Sequence, residues 1–454
     1  MLELQFLGGA GTVTGSKFLL TYNEHRILID CGLFQGLKAL RLRNWEMLPV
    51  DPKSISCVIL THAHIDHSGY LPRLLNDGFQ GPVYSTAATR DLCKILLPDC
   101  GYLMEEEASY LNQRKKTKHD PALPLFTREQ GEKATEAFET LPFKKETEIL
   151  PGVRIEFLYA GHILGAASVI VTAGDQRIAF TGDIGRPEDP ILFPPEPLPA
   201  ADFLVTESTY GNRRHKKLAA IDELELQINK ALKRGGTILI PTFAVGRAQF
   251  IMYLLWKLRS ENRIPNFPMF LNSPMATNVN DLLAKHKDLH KLSTHECAEV
   301  CNIVQYVRSP EESIALNKRT DPKLIISASG MISGGRILHH IKAFGPLEST
   351  TILLTGYQAA GTRGEALQNG AEELKIHGSY VPIKAHVEIL DNVSAHADYR
   401  EIIDWLKHSK IKPKKTFIVH GEASASDEIR RRLNEELGWE CLIPEPLQTI
   451  CLSP

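Results

Sequence analysis

Residues 58–67 read Val58-Ile59-Leu60-Thr61-His62-Ala63-His64-Ile65-Asp66-His67, and the rest of the chain is best read outward from them. The apolar, β-branched run at the start suits a buried interior strand and is too short for a core helix. A strand that stops at Thr61 delivers four metal-competent side chains, His62, His64, Asp66 and His67, to the edge of a sheet. His62 and His64 are two apart, so an extended segment presents them on one face. Asp66 and His67 are adjacent and point differently, which suits a second metal beside the first. A polar surface loop is the plain alternative, but loop chemistry does not ask for ligands at this density.

The same arrangement recurs along the chain. Asp30, His162, Asp183 and Glu207 each follow directly on an apolar run of strand character, ending near residues 29, 159, 180 and 206. Singly each is weak, since a lone histidine after a strand is usually a satisfied polar residue. If the strands lie in one layered α/β structure, their ends converge. For Asp30 two readings stand side by side: a turn former, or a carboxylate that orients a ligand histidine from behind. His396 and His420 follow strand-like runs at 385–390 and 416–419, after a long intervening stretch.

That intervening stretch has a different rhythm. From about Asn212, strands at 237–240, 269–272, 324–326 and 352–354 alternate with helices, which argues for a parallel sheet in a second α/β domain. Its strands end in glycine- and serine-rich loops that can turn backbone N–H groups towards phosphates. Earlier in the chain, helices are expected over 89–118 and 129–140. The charge runs at 105–107 and 114–116, and the basic patches at 213–217 and 410–415, are read as solvated faces ahead of ligand contacts.

A length of 454 residues makes two domains the natural expectation. With 43% hydrophobic and 23% charged residues the composition is that of a soluble globular protein. The net charge of −2 advertises no global attraction to nucleic acid, so any such attraction must be local. No run reaches a membrane span and the N-terminus lacks signal-peptide character, so a cytoplasmic protein without membrane partners is expected. The eight cysteines form no CxxC pair and read as reduced thiols. His295, Cys297 and Cys301 read as one helix face before they read as a metal site.

Taken together, these residues resemble the metallo-β-lactamase superfamily and, within it, the β-CASP nucleic-acid-processing family. His62-Ala63-His64-Ile65-Asp66-His67 is similar to the HxHxDH signature, with Asp30, His162 and Asp183 in the superfamily's other motifs. Glu207 in Glu-Ser-Thr-Tyr-Gly, His396 in Ser-Ala-His-Ala-Asp and His420 in Val-His-Gly-Glu resemble the three β-CASP motifs. Histidine in the third resembles the RNA-processing members, in particular compact prokaryotic ribonucleases related to the pre-mRNA 3′-end processing endonuclease.

The resemblance implies an αββα metallo-β-lactamase sandwich formed by residues 1–210 and 375–454, with an α/β β-CASP domain inserted at 211–374. It implies two zinc ions, with manganese or iron not excluded. His62, His64 and His162 would hold one, Asp66, His67 and His420 the other, with Asp183 bridging. Asp66, Glu207 and His396 are the catalytic candidates, His396 held by Glu207 as general acid or transition-state stabiliser. The implied reaction is hydrolysis of single-stranded RNA by a two-metal-activated hydroxide, endo- or 5′–3′ exonucleolytic, leaving 5′-phosphate and 3′-hydroxyl ends. RNA is expected in a cleft between the domains, with Arg247, Ser327, Ser329, Gly330, Thr362 and Arg363 as contacts, and a homodimer is left open. A small-molecule hydrolase would leave the inserted domain unexplained, a DNA nuclease of the same family is the closer alternative, and a non-catalytic paralogue would be expected to show damaged motifs.

Overall fold

The computed structural model describes residues 2–115, 119–216 and 218–452 and divides into two compact units. The first comprises Met1–Gln35, Ala39–Arg214 and His396–Pro454. It is built on two seven-stranded sheets. In one, Thr449–Cys451, Leu2–Gly8, Lys17–Tyr22 and His25–Ile29 pair antiparallel, and Cys57–Ile59, Val83–Ser85 and Phe138–Thr140 continue in parallel. In the other, the order runs Cys441–Leu442, Lys415–Ile418, Phe203–Thr206, Gln176–Phe180, Ala167–Ala173, Val153–Tyr159, Thr147–Leu150.

Alternation along these strands builds the core. Leu4, Phe6, Leu20, Ile27, Ile29 and Ile59 from the first sheet meet Ile155, Phe157, Val169, Val171, Ile178, Phe180 and Val205 from the second in one buried cluster. The other face of the second sheet, through Ile170, Ala179, Leu204 and Ile418, packs on Ile402, Ile403 and Leu406 of helix Tyr399–His408 and on Ile429 and Leu433 of helix Ala423–Leu437. Helix Ala87–Gln113 packs on helix Arg128–Ala134 and on strand Phe138–Thr140 of the first sheet. Val58 and Ile59 are fully buried in a strand with parallel neighbours on both sides, as their β-branched character requires.

The second unit comprises Gly36–Lys38 and His215–Ala395. Its six-stranded sheet is parallel throughout, in the order Gln305–Tyr306, Met269–Leu271, Lys323–Ser327, Thr237–Pro241, Thr351–Thr355, His386–Leu390. Alternate residues feed two cores: Ile238, Ile240, Leu324 and Ile326 one, Leu239, Ile325, Ile352 and Leu354 the other.

Three expectations need correction. The inserted unit ends at Ala395, not at 374, because strand His386–Leu390 pairs in parallel with Thr351–Thr355 and completes the inserted sheet before the chain returns to the first unit. The helix expected over 129–140 stops at Ala134; after a 3-10 turn, Phe138–Thr140 becomes a strand beside Val83–Ser85, where an edge position and Phe and Thr override the helix-favouring Glu and Ala before them. The helix expected over 89–118 is Ala87–Gln113, capped by the Thr86 hydroxyl, and Lys116, from the basic run, lies outside the described residues.

Candidate metal centre

The ligand-bearing turn is held by its backbone. After strand Cys57–Ile59, His64 stands ahead of a short helix, Ile65–Ser68, so Asp66 and His67 occupy one helical turn. Three N–H groups fasten its carbonyls: Leu33 to Ile65 at 2.9 Å, Ser16 to Asp66 at 2.9 Å, Cys31 to His67 at 2.7 Å. Only glycine fits at position 32, because a Cβ there would lie 1.6 Å from the Asp66 oxygen. Behind it the buried Lys17 ammonium donates to the Gly32 carbonyl and faces the rings of Phe34 and Tyr70 at 4.6 and 4.7 Å. Burial, partly offset by Cys31, pushes its pKa down to about 8.

The side chains then converge in two groups. His62 Nε2 and His162 Nε2 lie 3.2 and 3.1 Å from His64 Nδ1, and 3.4 and 3.5 Å from Asp183 Oδ2. Bonds of about 2.0–2.1 Å to a tetrahedral ion place neighbouring donors roughly 3.3–3.4 Å apart, the spacing of this set. In the second group His67 Nε2 is 3.1 Å from His420 Nε2, which is 3.3 Å from Asp66 Oδ2. Asp183 Oδ1 stands 3.3 Å from His67 Nε2 and is buried with no hydrogen-bond donor among the described residues. An ionised oxygen in that position is costly unless a cation completes it, so the donor set fits two divalent ions sharing Asp183.

Electrostatics favour the metal-binding forms. Burial, with His67 as a like-charged neighbour, pushes His62 down to about 3 against the pull of Asp183, and burial pushes His64 down to about 4 despite Asp66. His162 is driven well below the usual range by burial and by His396. These imidazoles are neutral, as ligands must be. Burial alone would raise Asp66 and Asp183, but the surrounding histidines, His420 foremost, hold both carboxylates well below their usual range. At His67 burial is outweighed by Asp183 and Asp30, and its pKa is raised: the carboxylates draw positive charge to that position.

Hydroxyl and carboxylate partners fix which ring nitrogen faces the centre. Asp30, whose backbone φ is 59°, accepts from Thr61 N at 2.8 Å and the Thr61 hydroxyl at 2.9 Å, and lies 2.7 Å from His67 Nδ1. It is therefore both a turn residue and an orienting carboxylate. The Thr61 hydroxyl has one proton and gives it to Asp30, so at 3.0 Å it accepts from His62 Nδ1–H and leaves Nε2 for the centre. Thr209 does the same for His420: it donates to the His420 carbonyl at 3.2 Å and accepts from Nδ1 at 3.0 Å. Sequence reasoning missed Thr61, Thr209 and Lys17. The two threonines stand beside His62 and Glu207 in sequence, the signal that could have found them. Thr209→Val is expected to weaken metal binding by the Asp66, His67 and His420 group about 10- to 100-fold while leaving the first group near its original affinity; competitive chelator titration checks this.

A third group shares Asp183. His396 Nδ1 lies 3.1 Å from Oε2 and 3.2 Å from Oε1 of the buried Glu207, and its Nε2 is 3.9 Å from Asp183 Oδ2. Glu207 is itself anchored by Ile184 N–H at 2.6 Å. Burial disfavours the His396 imidazolium, but Glu207 and Asp183 outweigh it and raise the pKa. His396 is thus a proton-holding group beside the centre, its outer nitrogen directed at the metal-binding groups.

The candidate RNA contacts lie in the second unit, in loops and helix starts that follow parallel strands, where ligands of α/β sheets commonly bind. Their side chains are engaged in holding those loops. Ser327 is buried and donates to Asn272 O at 3.0 Å, Ser329 Oγ accepts from Ser333 N at 2.9 Å, and Thr362 caps helix Arg363–Gln368. Arg363 donates to the carbonyls of Lys375, Ile332 and Ser333. Gly330 packs so closely on Phe243 that a Cβ would come within 2.8 Å of its ring, and Arg247, buried, opens helix Arg247–Ser260. These bonds hold the side chains of Ser327, Ser329, Thr362 and Arg363 within the second unit. Of the basic patches, Lys414 pairs with Asp202 and Lys415 with Glu440, Arg213 lies over Tyr210, and Lys217 is outside the described residues. Cys297 neighbours His290 on a helix face, and no metal-competent group among the described residues includes it.

Comparison with known proteins decides the family. Residues 11–225 match the metallo-beta-lactamase superfamily and 248–367 the Beta-Casp domain. Ribonuclease TTHA0252 of Thermus thermophilus is 35% identical over 423 residues, covering 91% of this chain and 92% of its own. The chain belongs to the β-CASP family of metallo-β-lactamases. Residues 380–444 of this β-CASP chain match the Zn-dependent metallo-hydrolase RNA specificity domain, which includes both His396 and His420. Transcription termination factor FttA of Methanosarcina mazei is 31% identical over 468 residues, 98% of this chain and 71% of the relative. An RNase J-like protein of Methanocaldococcus jannaschii is 30% identical over 433 residues, 93% of each. A crystal structure of a protein of unknown function from Enterococcus faecalis V583 shares the β-CASP fold at a TM-score of 0.54 and 15% identity, covering 99% of this chain and 100% of that one. Among the described residues no helix is long and apolar enough to cross a membrane.

Proposed function

We propose that this chain is a metal-dependent ribonuclease that hydrolyses phosphodiester bonds of single-stranded RNA and leaves 5′-phosphate and 3′-hydroxyl ends. The observation that carries the reading is Asp183, whose two oxygens face two different groups of imidazole and carboxylate donors. His62, His64 and His162 would hold one divalent ion and Asp66, His67 and His420 the other, with Asp183 common to both. A set of imidazole and carboxylate donors with no thiolate suits zinc and also accommodates manganese or iron. Such ions, when bound, supply Lewis acidity at a phosphoryl oxygen and activation of water at neutral pH.

The chain's own residues supply the rest. Asp30, Thr61 and Thr209 hold three imidazoles in the tautomer that presents Nε2 inward. Glu207 fixes His396 through Nδ1, so the Nε2 proton is aimed towards the centre. There it can pass to the 3′ oxygen as that oxygen leaves phosphorus. RNA as substrate is supported by the names of the relatives, by the match to the RNA specificity domain, and by histidine at position 420.

End-labelled single-stranded RNA, with a 5′-monophosphate or a blocked 5′ end, tests the reading in metal-loaded enzyme. RNA is expected to be cut and matched DNA spared, with the products ligatable through 5′-phosphates. Mononucleotides released from the outset would mark a 5′–3′ exonuclease and discrete internal fragments an endonuclease. Equal cleavage of DNA, or products ending in 3′-phosphate, would overturn the proposal.

A further inference from the structure

The loop after Asp30 carries a feature that the metal centre does not use. Helix Lys38–Leu42 has no buried residue. At its end and just beyond it the chain exposes Leu42 to 52%, Trp45 to 49% and Met47 to 88%. Single exposed hydrophobic residues need no explanation, but three within six positions on one turn do.

The turn is held firmly from below. Asn44, buried between these exposed neighbours, accepts from Phe34 N at 2.9 Å and donates to Phe34 O at 2.8 Å. Arg43 covers the Phe34 ring at 4.2 Å and reaches the Leu7 carbonyl at 3.4 Å, and Trp45 N–H closes on Leu42 O at 3.0 Å. Phe34 in turn follows Leu33, whose N–H is bonded to Ile65 on the ligand-bearing helix. A turn whose backbone is held in this way loses little freedom when something lies against it.

Charge selects the occupant. Lys38, Arg41 and Arg43 precede Trp45 with no acidic residue among them until Glu46, in a chain whose net charge is −2. A two-fold pairing of identical copies would set these cations against themselves. An aromatic face beside cations is what an unpaired base and its phosphate take up.

We infer that the Leu42–Met47 turn is a contact site for single-stranded RNA, in which an unpaired base stacks on Trp45 and Arg41 neutralises an adjacent phosphate. The inference rests on the ribonuclease reading, and its test separates the two. KM and kcat for a single-stranded oligonucleotide are measured for wild type, Trp45→Ala and Trp45→Phe, all metal-loaded. Anisotropy of a labelled oligouridylate measures binding alone, while melting temperature, metal content and light scattering report fold, centre and assembly. Trp45→Ala is expected to raise KM and the dissociation constant roughly tenfold, with a much smaller change in kcat, and Trp45→Phe to restore most of the affinity. Wild-type KM and binding in Trp45→Ala would overturn the inference and leave the ribonuclease reading standing. A shift of Trp45→Ala to a smaller assembly with RNA binding intact would overturn it in favour of a copy–copy surface. If wild type binds but does not cut RNA, the ribonuclease reading fails, and the anisotropy comparison still decides the contact.

Discussion

Asp183→Ala is expected to abolish turnover and empty the centre together. Among the described residues, Asp183 is the one whose oxygens face both groups of donors, Oδ2 at 3.4 and 3.5 Å from His62 and His162 and Oδ1 at 3.3 Å from His67. Removing it takes a charged donor from each prospective ion and leaves the histidines without the carboxylate that draws a cation among them. Since metal activation is worth several kcal/mol, kcat should fall by roughly a thousandfold or more. Elemental analysis alongside single-turnover cleavage checks both halves of the expectation. A metal-loaded, active Asp183→Ala protein would sink the assignment of a shared carboxylate. Asp183→Asn keeps the shape without the charge, and should fall between wild type and alanine in metal affinity.

The second large effect is at His396. His396→Ala is expected to lower kcat by about 10²- to 10³-fold, within the range for loss of a positioned acid, with metal content unchanged. The two outcomes differ because His396 flanks the donor groups, its Nε2 3.9 Å from Asp183 and its ring 4.5 Å from that of His162, and takes its own orientation from Glu207. Glu207→Gln should give a smaller loss in the same direction, because the amide can still accept from Nδ1 but no longer favours the imidazolium. An RNA whose 3′ oxygen is replaced by sulfur leaves without needing a proton, so the acid role predicts that this substrate rescues His396→Ala. Full turnover of His396→Ala on ordinary RNA, with metal in place, would remove the residue from the mechanism.

The site was more legible in the sequence than the fold around it. His62, His64, Asp66, His67, His162, Asp183 and His420 come together in the structure because each ends or follows a strand of the first unit, and strand ends are visible as the stop of an apolar run. What the sequence did not reveal were side chains that act on other side chains. Thr61 and Thr209 read as ordinary polar residues, and only the 3.0 Å contacts to His62 and His420 make them tautomer locks. Lys17 is invisible for the opposite reason: nothing in a strand pattern announces a buried ammonium held by a glycine carbonyl and two rings.

The misjudged boundaries have a common cause. His386–Leu390 and Phe138–Thr140 are strands whose partners are far away in sequence, Thr351–Thr355 and Val83–Ser85. Local composition says little about which sheet recruits such a segment, because β-propensity reflects neighbours as much as backbone. The candidate RNA contacts show the same dependence on surroundings. Serine and arginine in a loop suggest ligand contacts, yet at Ser327 and Arg363 the loop itself takes up the bonds.

The most direct test is a count of ions per chain, by elemental analysis of protein reconstituted with zinc and freed of excess metal. Two ions are expected in wild type, one in Asp66→Ala, one in His64→Ala, and fewer than one in Asp183→Ala. A single ion in wild type, or two retained in Asp183→Ala, would contradict a centre of two ions sharing Asp183.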